Sequence, residues 1–324
     1  MCRLIDDIAA FLEGNGFECS RQMRHDFDVI CTKTLDGRYS RIIMPLEITA
    51  RSREEAGQGN EEASYAIRMI TSESGYPLII TEDRWKRQRK MMEARLLAHL
   101  ELFSQAYARN CEVRRIDKAE AKAFLAGNHS YGYAACRHCY GLFLKRHTGH
   151  IAEETSDFGD IGKMIAVATF SNARKWVKDG KEIRSYEWTR YASLPEMRVS
   201  GGMGKLLKAF IKEVQPDDIM SYADLEWSEG EVYRALGFEA EMEKEAVDFV
   251  IDGETWERSP IRSGMTEGKP GMTEGRSGMT EGRSGMTEGK PGTAGDDVIA
   301  GLTGNLFFRN FGSRNFKMKL TDYK

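Results

Sequence analysis

The residues with the most chemical potential cluster in the second half of the chain. Arg198-Val-Ser-Gly-Gly-Met-Gly204 lies between a strand-like segment and the amphipathic stretch KLLKAFIKEV, residues 205–214. Val199, Gly201, Gly202 and Gly204 could let backbone N–H groups turn toward a pyrophosphate, with Lys205 and the positive end of the following helix beside them. A plain tight turn has the same spelling. Farther on, the strand-like segment 219–225 carries Ser221, Tyr222 and Asp224, and Tyr233 follows nine residues after Asp224 in VYRALGF. These supply a candidate general acid, Tyr233, a candidate base in Asp224 or in His129 of NHSYG, and the hydroxyl of Ser221. A core tyrosine, a turn-capping aspartate and a loop-capping histidine would be spelled the same way. Arg190, flanked by aromatics in YEWTRYAS, could meet a phosphate through its planar fork, or pair internally with Glu187 or Asp224.

Two further constellations stand apart. Asp28 in FDVIC and Glu47 in LEIT fall on neighbouring strand-like segments, where paired carboxylates could hold Mg²⁺. Between Arg84 and Arg95 lie six basic residues (Arg84, Lys86, Arg87, Arg89, Lys90, Arg95) against the single acid Glu93, with Trp85 at their head. Such a helix could track a phosphate backbone with salt-sensitive affinity, or be a solvated face over Met91, Met92, Leu96 and Leu97. Cys136-Arg-His-Cys139 followed by His147 and His150 invites a zinc reading. The intervening YGLFL reads as a strand and the spacing is short for a finger, so incidental cysteines are the better expectation.

The elements that must position these groups are legible by periodicity. Leu4, Ile5, Ile8, Ala9 and Leu12 give a first helix one buried face. Segments 27–31 and 41–50 read as strands joined by a turn at Asp36-Gly37, residues 54–70 as a helix, YPLIIT (76–81) as a buried strand, and 84–102 as a basic helix. The second stretch, residues 112–250, reads as a helix at 118–125, strands at 140–144, 164–170 and 186–193, the helix after the glycines, then strand, helix and strand. On that helix Leu206, Leu207, Phe210, Ile211 and Val214 form the apolar stripe.

The succession of glycine loop, helix, polar strand end and Tyr-x-x-x-Gly-Phe resembles GNAT-type N-acyltransferases. That resemblance implies that Val199, Gly202 and Gly204 belong to a loop holding the pyrophosphate of acetyl- or another acyl-coenzyme A, and that Tyr233 protonates the departing thiolate. Where the family often opens its loop with Gln or Arg, this chain has Val199. Taken in order, NHSYG, YGLF, VATF, YEWTRYA, SGGMGKLLKAF and SYAD…YRALGF are similar to the Mom-type branch of phage proteins that modify adenine in DNA, over residues 112–238. The first 100 residues, with Asp28, Glu47 and ITEDRW (80–85), resemble PD-(D/E)XK nucleases of the very-short-patch-repair type, which accompany related domains in phage homing-type proteins. Thr49 stands where that family has lysine, so a degenerate site is the expectation.

Composition sets the frame. With 324 residues, 47 Lys+Arg against 50 Asp+Glu, 41% hydrophobic and 30% charged residues, the chain is ordinary for a globular protein, and its length suggests more than one domain. The near-neutral balance argues against a wholesale polyanion coat and leaves room for a local basic patch. No apolar run approaches a membrane span, the opening MCRLIDDIAAFLEG does not read as a secretory signal, and six scattered cysteines point to the cytoplasm. Four copies of GMTEG(K/R)(P/S) fill residues 264–291 and cannot build a core.

The expected organisation is α/β (α+β): a nuclease-like domain at 1–105, a GNAT-like domain at 106–260, a flexible repeat at 261–297, and a tail at 298–324 that could form a strand or a hairpin around Gly312. The expected function is acyl transfer from acyl-coenzyme A to a base amine of DNA, adenine-type. The alternatives are a Mg²⁺-dependent phage-type endonuclease using Asp28 and Glu47, and a non-catalytic DNA-binding accessory protein. Arg84, Lys86, Arg87, Arg89, Lys90 and Arg190 are the expected nucleic-acid contacts.

Overall fold

A computed structural model describes residues 3–146, 160–261 and 304–321. The seven-residue repeats, His147 and His150 lie outside the described residues. The first unit contains α1 (Leu4–Gly14), β1 (Cys19–Arg24), β2 (Phe27–Lys33), β3 (Ser40–Leu46), α2 (Arg53–Ser74), β4 (Leu78–Thr81), α3 (Glu82–Arg87) and α4 (Arg89–His99). Its sheet has the order β1-β2-β3-β4, antiparallel except for the β3–β4 pair, which runs parallel because α2 carries the chain back across it. Alternation along the strands divides the apolar side chains between two faces. Ile30, Ile43, Leu78 and Ile80 meet Leu4, Ile8 and Leu12 of α1 and Met92 and Leu96 of α4, while Val29, Met44 and Ile79 meet Ala63, Ala66, Ile67 and Ile70 of α2. The expected strand at 41–50 stops at Leu46, which leaves Glu47 just beyond the sheet. The expected single basic helix is two helices, interrupted at Gln88.

The second unit runs β5 (Ser104–Tyr107), β6 (Cys111–Arg115), α5 (Lys118–Asn128), β7 (His138–Leu144), β8 (Met164–Phe170), β9 (Arg174–Lys178), β10 (Lys181–Ser193), β11 (Met197–Ser200), α6 (Gly202–Val214), β12 (Asp218–Asp224), α7 (Glu231–Ala235), β13 (Glu239–Lys244), β14 (Asp248–Ile251), β15 (Arg258–Pro260), β16 (Leu306–Arg309) and β17 (Ser313–Lys319). The main sheet has the order β13-β17-β12-β10-β8-β7-β6, with β9 hairpinned onto β10. One face packs on α6 through Tyr140, Phe170, Trp188, Leu206 and Phe210, with the Phe170 and Phe210 rings stacked at 3.8 Å. The other face packs on α5 through Cys139, Val167, Ala192, Phe124 and Leu125.

Residues 304–321 enter two different sheets. β16 pairs with β14, which also pairs with β15, so the chain leaves for the repeats and returns from them at one three-stranded sheet. β17 then runs between β12 and β13 and buries Phe316 fully. Gly312 makes the corner with φ +74°, and a Cβ there would fall 2.3 Å from the Lys244 carbonyl oxygen, so no other residue fits.

The two units meet across buried charge. Arg258 of β15 holds Asp83 bidentately at 2.7 and 2.8 Å and reaches Glu226 at 2.8 Å. Arg84 of α3 donates to Glu226 at 2.6 Å and to Asp224 at 3.2 Å. Arg95 adds hydrogen bonds to the carbonyls of Ile79 and Trp227. Three guanidiniums thus face three carboxyls in a region closed to water, the condition under which buried charge is tolerated.

Candidate functional site

The site is built where two strands of the main sheet part. β10 and β12 run parallel and pair only from Ser185–Asp218 to Glu187–Met220. Beyond that point β10 pairs only with β8, and β12 pairs with β17. A bulge between Trp188 and Arg190 bends β10 away at the same level. Past the slot so opened, β10 continues to Tyr191, whose hydroxyl lies beside Gly202 in the turn from β11 into α6.

That turn carries the expected glycines. Gly201, at φ +75°, precedes a helix with no side-chain cap on its first amides. Gly202 is closely packed: a Cβ would lie 2.9 Å from Val199 Cγ1 and 3.2 Å from the Tyr191 hydroxyl. Val199 points into the core from β11, and Gly204 faces Leu236. Of the expected cradle residues, Lys205 has other work. Its Nζ donates to the carbonyls of Ala108 and Cys111, fastening the turn to the segment after β5. β5 also pairs with β11, a buttress that sequence reading missed.

Tyr233 and Ser221 meet inside the slot. Ser221 Oγ lies 3.0 Å from the Trp188 carbonyl and 2.9 Å from Tyr233 Oη. Ser221 Oγ can donate its one proton to either acceptor, the Trp188 carbonyl or the Tyr233 phenol oxygen, and the second arrangement leaves the phenol proton free to point elsewhere. Tyr233 is walled by the Phe316, Phe238 and Trp188 rings, and burial raises its pKa, with Ser221 and Arg190 opposing. It is held as a neutral proton donor.

The two expected bases fare differently from expectation. Asp224 accepts from Arg84, from the Tyr131 hydroxyl at 2.9 Å and from the Glu226 amide at 2.9 Å, so its lone pairs serve the buried ionic cluster. Burial, then the neighbouring Glu226 carboxylate, raises its pKa against the pull of Arg84. His129 ends α5, and its Nδ1 accepts from the Tyr131 amide at 3.1 Å. Burial, helped by Arg190 and Arg84, pulls its pKa down to about 3. The imidazole is therefore neutral with its proton on Nε2, a donor rather than a base.

A carboxylate that sequence reading treated only as an ion-pair partner fits the role better. Glu187 lies at the last β10–β12 pair, between Tyr186 and Trp188, which face α6, so its side chain lies on the α5 side of the sheet. Among the described residues it has no side-chain hydrogen bond or ion pair, and burial raises its pKa against Arg190 and Lys244. The legible signal was an acid alternating with buried aromatics in a core strand. Arg190, on the same side, donates to the carbonyls of Gly132 and Thr189.

The expected nucleic-acid helix does not present a row of free cations. Arg84 is 6% exposed and points into the ionic cluster, Lys86 pairs with Glu82, Arg87 with Glu257, and Arg89 with Asp7 and Glu93. Two of these pairs, Lys86–Glu82 and Arg89–Glu93, are local i,i+4 contacts, while Asp7, Asp224, Glu226 and Glu257 come from far along the chain, which no local pattern reveals. In the first unit, Asp28 and Glu47 do converge, but on a guanidinium. Arg3 hydrogen-bonds Asp28 and lies 3.9 Å from Glu47, whose carboxylate also accepts from the Leu4 amide. No group of three or more His, Cys, Asp or Glu able to hold a metal occurs among the described residues, and no helix among them is long and apolar enough to cross a membrane.

No family model and no curated protein match the chain. Among solved structures it is similar to that of a mutant AtaT toxin bound to the C-terminus of the antitoxin AtaR and acetyl-CoA. The two share 13% identity over 41% of this chain and 87% of that one, with a TM-score of 0.26.

Proposed function

We propose that the second unit is a GNAT-like acyltransferase that moves an acyl group from acyl-coenzyme A to an amine. The reading rests on one observation: β10 and β12 part after Glu187–Met220, the Ser221–Tyr233 pair lies in the gap, and Tyr191 farther along β10 lies against the uncapped, glycine-built start of α6. A slot between parallel strands offers backbone groups to an extended, amide-bearing chain, and the helix start suits a diphosphate. Gly202 is packed against Val199 and Tyr191, which fixes the turn whose amides open the helix.

The residues divide the work. Glu187, on the α5 side, takes a proton from the attacking amine. Nitrogen adds to the thioester carbonyl, the carbon–sulfur bond breaks, and Tyr233 gives its proton to the leaving sulfur while Ser221 holds the phenol in line. His129, a neutral donor, and Arg190 line the acceptor side. An exocyclic amine of DNA, taken out of the stack, satisfies the same chemistry. Of the basic residues of α3 and α4, Arg84 and Arg95 are buried, and Lys86, Arg87 and Arg89 are ion-paired at the surface, which weakens the case for DNA over other amines.

Calorimetric titration with acetyl-coenzyme A tests the reading, using the wild type and a Gly202→Glu, Gly204→Glu double variant. Binding by the wild type that the double variant loses is the expected result. Absence of binding by a folded wild type overturns it. Thiol release on adding single-stranded DNA, compared with small amines, then sorts the acceptors.

A further inference from the structure

We infer that Cys136 and Cys139 form a redox-active dithiol that small disulfides such as oxidised glutathione convert to an intramolecular disulfide. The two Sγ atoms lie 3.3 Å apart, in van der Waals contact and within a small side-chain rotation of bonding. Tyr133 Oη sits 3.3 Å from Cys136 Sγ. Once Cys136 is ionised, the Cys139 S–H and the Tyr133 O–H are both placed to donate to its sulfur, which is the arrangement that stabilises a thiolate. Consistent with this, the Cys139 hydrogen bond, followed by that of Tyr133, draws the Cys136 thiol down to about 6 against the effect of burial, while Cys139 is raised. Cys136 is the more exposed of the two, at 7% against 3%, so the activated sulfur is also the one a reagent meets first.

Among the described residues no third metal ligand joins the pair. His138, between them, turns its ring to the opposite face of β7, against Tyr186 and Phe210, while Cys139 packs toward α5. The other described cysteines have no thiol neighbour to resolve them.

The chemistry balances with a disulfide as oxidant. The Cys136 thiolate attacks one sulfur of the reagent and expels a thiolate, giving a mixed disulfide. The Cys139 thiol gives up its proton and attacks Cys136 Sγ, expelling the second thiolate. The protein loses two protons and two electrons, and the reagent leaves as two thiols. The pair packs on Phe124 and Leu125 of α5, the helix that ends at His129, so the bond forms beneath the loop lining the acceptor side.

The test uses the intact chain, reduced and then equilibrated with oxidised glutathione, followed by alkylation, proteolysis and mass spectrometry of the peptides containing residues 136–139. The expected product is a single peptide two hydrogens lighter, with neither thiol alkylated. In Cys139→Ser, Cys136 should instead retain glutathione. In the reduced wild type at neutral pH, Cys136 should be alkylated on the order of tenfold faster than Cys139, a comparison that needs no variant to fold. Equal and slow alkylation of both thiols, glutathione on Cys19 or Cys31 with the pair left reduced, or zinc co-purifying and shielding both, would each overturn the inference.

Discussion

Tyr233 Oη lies 2.9 Å from Ser221 Oγ, which in turn lies 3.0 Å from the Trp188 carbonyl, so a helix residue, a β12 residue and a β10 backbone group are linked at the mouth of the slot. The link spans the two strands where their own pairing has ended. A side-chain hydroxyl bridges the first gap and can donate toward the phenol oxygen, which leaves the phenol proton free for a partner in the gap.

Tyr233→Phe removes that proton and little else, since the ring contacts with Phe316 and Phe238 are kept. Acyl transfer should fall by about 10²–10⁴-fold, the ordinary scale for loss of a positioned acid, with acetyl-coenzyme A affinity unchanged. Stability should change by only about 1 kcal/mol, for one hydrogen bond. An unaltered turnover number would remove Tyr233 from the mechanism.

Glu187 separates catalysis from stability by sign. Burial raises its pKa, so the protonated form is favoured in the fold, and its stabilising contribution is lost as pH rises through the folded value. The rate should rise over the same interval, as the base loses its proton. Glu187→Gln should abolish that limb of the pH–rate profile and leave the melting temperature at neutral pH equal or higher. A drop in both rate and stability would mark Glu187 as structural.

What was readable in the sequence was local. The apolar spacing in 4–14, the continuous run at 164–170 and the stripe at 205–214 each reflect one element burying one face, and the structure agrees on all three. β13 left no trace: every residue of EAEMEK is exposed, and its strand form depends on β17, more than 60 residues later. Arg84 misled for a related reason. A run of cations reads as a surface until Glu226 and Asp224 arrive from the other unit to neutralise it. The glycine turn was visible, while its buttress by Ala108 and β5 was not, because parallel pairing between residues 104–107 and 197–200 has no sequence signature.

Arg3 weighs against the nuclease alternative. A guanidinium between Asp28 and Glu47 already supplies the positive charge a metal would bring, and Thr49 offers no lysine to activate water. Mg²⁺ should therefore leave the wild-type melting temperature unmoved, and supercoiled plasmid should stay intact. Arg3→Ala should gain a Mg²⁺-dependent rise in melting temperature without gaining nicking. Mg²⁺-dependent nicking by the wild type that vanishes in Glu47→Ala would restore an active nuclease.

The buried cluster predicts how the units come apart. Arg258→Met strands Asp83 and leaves Glu226 with Arg84 alone in a region closed to water, and should cost about 3–5 kcal/mol by urea denaturation. Adding Asp83→Asn and Glu226→Gln should return part of that loss, because the penalty comes from uncompensated charge rather than from lost packing. Acid gives the same test without mutation. Burial pushes the Glu226 carboxyl up, but Arg258 and Arg84 outweigh it and hold the group at about 2, below the 4.5 of an ordinary glutamate. Its stabilising contribution is thus complete above the ordinary carboxylate range and is lost as pH falls toward 2. Asp224, shifted the other way, contributes with the opposite sign, so within the cluster the acid limb belongs to Glu226, beside the smaller limbs of ion-paired carboxylates such as Asp7 and Asp248. Wild-type protein should lose stability steeply between about pH 4.5 and 2, and the triple variant should show a flatter limb. An identical acid limb in both would place the interface energy elsewhere.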